Sequence, residues 1–178
     1  MSVPKCDRGE SKMEFYHNAI VIQTEVIKLL LKDFGLKKKV RTIEILTKMY
    51  NMDTADEQEL RDIMSKYHMD SAIIDEYPEW LINYFRESML LTLRDMMNNI
   101  RAANGTYVMT REEYGERRLC WDRAINNCNQ LIGEMECVIT MLPETDAEKY
   151  MPLVKMIKKE IDLLKGVRKS DNKMLGRL

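Results

Sequence analysis

A chain of 178 residues with 45% hydrophobic and 32% charged residues fits one compact globular domain. Seven Gly and four Pro leave little room for long loops, and 15 Met favour an adaptable helical interior over a β-sandwich. A net charge of −1 gives no global pull toward polyanions, and two His are too few for most acid–base or metal constellations.

The N-terminal stretch "MSVPKCDRGESK" has no apolar signal segment, and no apolar run is long enough to span a bilayer, so the expected location is cytoplasmic, with no membrane partner. The first helix is expected over 11–35. Tyr16, Ala19, Ile20, Gln23, Val26, Ile27, Leu30 and Phe34 recur at helical spacing, and Gly35 ends the run. Residues 36–77 read as a helical insertion with weaker periodicity, in which Val40, Ile43 and Leu46 mark one short helix and Leu60, Ile63, Met64 and Tyr67 another.

Pro78 opens a second long helix, 78–104, with Ile82, Met89, Leu93, Met96, Ile100 and Ala103 as its buried stripe. Thr110 and Glu113 form a capping box ahead of a third, 110–142. There Tyr114, Trp121, Cys128, Met135 and Leu142 repeat every seven residues. Pro143 stops it. Thr145 or Asp146 caps a fourth helix, 145–166, whose stripe is Tyr150, Leu153, Val154, Ile157, Ile161 and Leu164, and Gly166 opens a polar tail over 167–178. The predicted fold is all-α: a single domain, 1–178, built as an up-and-down four-helix bundle with the insertion between its first and second long helices.

Charge is unevenly distributed along this frame. Asp53, Asp56, Glu57, Glu59, Asp62, Asp70, Asp75, Glu76 and Glu79 face only Arg61 and Lys66, whereas from Lys149 onward Lys and Arg dominate. A cationic run, Lys37, Lys38, Lys39 and Arg41, stands at an expected helix start, where the macrodipole disfavours positive charge. A hairpin between the second and third long helices brings Arg101 near Arg117 and Arg118, whose guanidinium groups can fork onto phosphates or carboxylates. These seven residues are the predicted binding site for RNA or a protein partner. The bland alternative for Arg117 and Arg118 is surface pairing with Glu112, Glu113 or Glu116.

Catalytic chemistry is not indicated. His17 and His68 lie in unrelated segments, the Glu-x-x-His pattern of di-iron bundles and the glycine-rich phosphate loops are missing, and "DFG" at Asp33 to Gly35 reads as a helix ending. Cys6, Cys120, Cys128 and Cys137 lack ligand spacing, so reduced thiols, no bound metal and no cofactor are expected. Trp80, Tyr84, Phe85 and Leu91 spread apolar surface beyond one stripe, which predicts an oligomer.

The segments "MSVPK", "ESK", "AANGTY", "EEYGERR", "AINNCNQLIGEM", "LPETDAEKYMPLV" and "KGVRKSDNK" resemble the accessory variability determinants of diversity-generating retroelements. These are four-helix-bundle proteins encoded beside reverse transcriptases in bacteria and phages, and they are similar to a ribosomal-intervening-sequence bundle family. The likeness covers the N-terminal signature and about Trp80 to Lys173. It implies a non-enzymatic homo-oligomer, pentameric in that family, whose basic surface contacts the reverse transcriptase and its template RNA during mutagenic cDNA synthesis. This chain departs from the family pattern in being near neutral and in carrying the acidic stretch from Asp53 to Glu79. The competing reading is a protein-only helical adaptor or regulator of a phage or mobile element.

Overall fold

The computed structural model describes residues 13–36, 39–67, 72–75, 77–143 and 145–175. Its main elements are six α-helices: α1 Glu14–Leu31, α2 Ile43–Tyr50, α3 Thr54–Lys66, α4 Glu79–Gly105, α5 Arg111–Met141 and α6 Tyr150–Leu175. Two short strands, β1 Lys39–Thr42 and β2 Ala72–Asp75, pair antiparallel with Val40 opposite Ile74 and Arg41 opposite Ile73. The chain divides into two compact units, Met1–Leu36 with Ile82–Leu178, and Lys37–Leu81.

In the larger unit each long helix carries a buried stripe at helical spacing. The stripes are Ala19, Ile22 and Val26 on α1, Met89, Leu93, Met96 and Ile100 on α4, Trp121, Cys128 and Met135 on α5, and Leu153, Ile157 and Leu164 on α6. Side-chain bonds set the directions of the helices. Thr92 on α4 donates to Glu134 on α5 at 2.7 Å, and further along Asn99 donates to Asn127 at 3.1 Å, so these helices run antiparallel. The same ordering relates α5 to α6 through Tyr114 with Asn172 and Asp122 with Arg168, and α1 to α4 through Tyr16 with Arg101 and Asp33 with Arg86. It relates α1 to α6 through Asn18 with Glu160 and, at the far end, Phe34 with Tyr150.

Local chemistry fixes the ends. Thr110 Oγ1 accepts from the Glu113 amide at 3.2 Å while Glu113 Oε2 accepts from the Thr110 amide at 2.9 Å, completing the capping box of α5. The stop after α1 is spread over three left-handed residues, Asp33, Phe34 and Gly35, with φ of 46°, 60° and 73°. A phenylalanine there is strained, and tertiary contacts hold it. Its ring is fully buried edge-on to Phe85, centroids 6.3 Å apart, and its carbonyl accepts from the Tyr150 hydroxyl at 3.0 Å.

Three expectations change. The segment 36–77 is not wholly helical: Val40 lies on β1, and only Ile43 and Leu46 of that predicted trio enter α2. Lys-Val-Arg-Thr alternates β-branched Val40 and Thr42 with cations, and Ala-Ile-Ile-Asp sets Ile73 and Ile74 side by side; both compositions suit a pleated pair better than a helix. In the same unit, Asn51 at φ 49° ends α2, and Asp53 caps α3 by accepting from the amides of Ala55 and Asp56, both at 2.8 Å.

The second change is the predicted polar tail from 167, which instead continues α6 to Leu175. A single exposed Gly costs a helix only about 1 kcal/mol, and beyond Gly166 the helix is tied down by Arg168, Asp171 and Asn172. The third is Phe85, predicted as spare apolar surface but turned inward at 6% exposure, while Trp80, Tyr84 and Leu91 are exposed.

Candidate polyanion-binding surface

Of the seven predicted site residues, five are described, and they are divided between the two units. Lys37 and Lys38 lie outside the described residues. Lys39 and Arg41 sit on β1 rather than at a helix start, in the smaller unit, with Lys39 opposite Asp75 in the ladder. Arg101, near the end of α4, is exposed, and its Nε lies 3.4 Å from the Tyr16 hydroxyl.

Arg117 has a structural task. Its Nε donates to Asp171 Oδ2 at 2.6 Å, Nη2 donates to Oδ1 at 3.2 Å, and Nη1 donates to the Thr106 carbonyl at 3.0 Å. The guanidinium also lies 5.7 Å from the Trp121 ring centre, and the Trp121 indole N–H donates to the same Asp171 Oδ2 at 2.9 Å. With side-chain exposures of 13% and 8%, Arg117 and Asp171 form a nearly buried ion pair whose donors are spent inside the protein. Its partner is therefore not one of the neighbouring glutamates named by helical spacing. Arg118 is exposed, and its Nη1 donates to Asn172 Oδ1 at 2.9 Å and to the Tyr114 hydroxyl at 3.2 Å.

A larger cationic feature lies on α6. Lys155, Lys158, Lys159, Lys165, Lys169 and Lys173 are all exposed, and only Asp162 interrupts them. At 100° per residue they fall within an arc of roughly 120°, opposite the buried stripe, and from first to last they extend about 27 Å. Lys159 pairs with Glu14 at 2.9 Å, but both side chains are more than half exposed, which makes the pair weak. Among the described residues, the other five make no ion pair. Successive spacings of three, one, six, four and four residues put six ammonium groups on about five turns of 5.4 Å, with Asp162 on the turn between Lys159 and Lys165.

The signal for this row was in the sequence. The lysines after Lys149 gather on one side of a helical wheel, about half a turn away from the apolar stripe. Ending the helix at Gly166 removes Lys169 and Lys173 from that register.

Two carboxyls inside the larger unit also escape sequence reasoning. Glu134 Oε1 accepts from Ser88, Thr92 and Gln130, while its Oε2 is buried without a hydrogen-bond partner. Glu160 is fully buried, and burial pushes its carboxyl up to about 7. Nearby, burial and the charge of Glu160 push the Cys128 thiol up to about 12, and its Sγ lies 3.5 Å from Met96 Sδ. Burial likewise raises the Tyr150 phenol. Among the described residues no three His, Cys, Asp or Glu side chains are grouped to hold a metal ion, and no helix is long and apolar enough to cross a membrane.

In comparisons with known proteins, no family model matches the chain, and neither a curated protein nor a solved structure matches it.

Proposed function

We propose that the protein is a non-enzymatic accessory subunit of a reverse transcriptase in a diversity-generating retroelement, binding the polymerase and its template RNA during mutagenic cDNA synthesis. The observation that carries this reading is the lysine row on α6, a long and mostly unpaired cationic face on a chain of net charge −1. The resemblance in "AANGTY", "EEYGERR" and "KGVRKSDNK" supplies the polymerase. The larger unit is read as an up-and-down four-helix bundle of α1, α4, α5 and α6, supported by the antiparallel side-chain bonds between neighbours. In this reading the bundle is a rigid carrier for surfaces and performs no chemistry of its own.

A homo-oligomer, pentameric in the resembled family, belongs to the same proposal. Tyr84 and Leu91, seven residues apart on the outer face of α4, are 63% and 50% exposed and offer apolar area for a protein contact. The same pair favours the second reading, a protein-only adaptor of a phage or mobile element. Co-expression with the candidate partner reverse transcriptase, followed by affinity capture, separates these readings. The first predicts co-purification of polymerase and RNA; the second predicts a protein partner with no RNA. Absence of the polymerase from the captured complex would overturn the first.

A further inference from the structure

Glu160 stands at a core position of α6 with no exposed surface. Its Oε2 accepts from Asn18 Nδ2 on α1 at 2.8 Å, and its buried Oε1 has no hydrogen-bond partner. The Asn18 amide also donates to the Met156 carbonyl at 3.3 Å, so half-buried Asn18 and buried Glu160 form a polar tie across the α1–α6 seam.

The groups around the carboxyl compensate a charge poorly. On α6, Lys159 favours the ionised form but its ammonium pairs with Glu14; on α1, Glu14 itself repels a carboxylate, and Asn18 offers one neutral donor. On α5 the neighbour is the Cys128 thiol, which contacts Met96 of α4. An ionised group with this surrounding pays a desolvation cost that one amide does not repay.

We propose that Glu160 is a proton switch in the α1–α6 seam: its neutral carboxyl fits the core and keeps the seam closed, and its ionisation loosens it. The direction follows from linkage. The folded carboxyl titrates near 7, above its ordinary value of 4.5, so the unfolded chain gives up the proton first. Stability is full below the unfolded value, falls as pH rises between the two, and is flat above the folded value. The switch is independent of any reading of the lysine row.

Urea unfolding of the full chain across pH 5 to 8.5, for wild type and Glu160→Gln, tests the switch together with hydrogen exchange of α1 and α6 amides. The wild-type unfolding constant should rise by up to roughly tenfold per pH unit on the way to neutrality. Amides flanking Asn18 and Glu160 should lose protection above the transition. Glu160→Gln should lack that rise, whereas Glu14→Gln should retain it. Equal pH slopes in wild type and Glu160→Gln would overturn the proposal. If Glu160→Gln does not fold, carbon-13 titration of the wild-type glutamate carboxyls decides. One carboxyl titrating near neutrality supports the switch, and all titrating below about 5 overturns it.

Discussion

Arg117 and Asp171, 54 residues apart in sequence, meet in a two-pronged ion pair with Nε 2.6 Å from Oδ2 and Nη2 3.2 Å from Oδ1, closed on one side by the Trp121 indole. The pair joins the first turns of α5 to the last turns of α6 and gives a buried acid its cation. Replacing Arg117 by Gln leaves Asp171 buried with one indole donor, and should cost about 3 kcal/mol. A drop in melting temperature of roughly 6–12 °C is the expected reading. Arg118→Gln, at an exposed position, should change stability by less than about 1 kcal/mol. Equal effects of the two substitutions would refute this division of roles.

The continuation of α6 past Gly166 has its own test. Gly166 is exposed, lies inside the helix, and has open space where a Cβ would stand. Gly166→Ala should therefore stabilise the protein by about 0.5–1 kcal/mol in chemical denaturation. No gain, or a loss, would mean that the helix does not persist through this position.

Thiol reactivity should divide the cysteines by environment. Cys137 is exposed and Cys128 is buried, with its thiol pushed up to about 12. A thiolate-directed reagent at pH 8 should label Cys137 in the native protein and Cys128 only after unfolding, as read by peptide mass spectrometry. Rapid native labelling of Cys128 would contradict its placement in the core.

The long helices were legible because their stripes obey one rule. Tyr114, Trp121, Cys128, Met135 and Leu142 repeat every seven residues, and all are buried. The end of α6 was not, because Gly166 and a polar composition mimic a stop, while the residues that prolong the helix are polar ones with distant partners. Glu160 and Asp171 hold core register with Leu153, Ile157 and Leu164 at intervals of three, four or seven. Their spacing marks them as interior although their chemistry does not.

The pairing of Arg117 was hidden for a similar reason. Helical spacing offers Arg117 local glutamates, whereas its partner comes from the far end of the chain. The strands were missed because four-residue runs such as Lys39–Thr42 carry too few residues to separate a period of two from a period of 3.6.

The lysine row is the centre of this account, and salt dependence tests it most directly. Binding of fluorescent single-stranded RNA is measured from low to moderate salt for wild type and for the triple variant Lys158→Gln, Lys165→Gln, Lys169→Gln. Gln is nearly as good a helix former as Lys, so helix content should hold. The variant should bind more weakly, with a log–log salt slope shallower by roughly 2, about 0.7 per phosphate contact removed. Unchanged affinity and slope in a folded triple variant would contradict it.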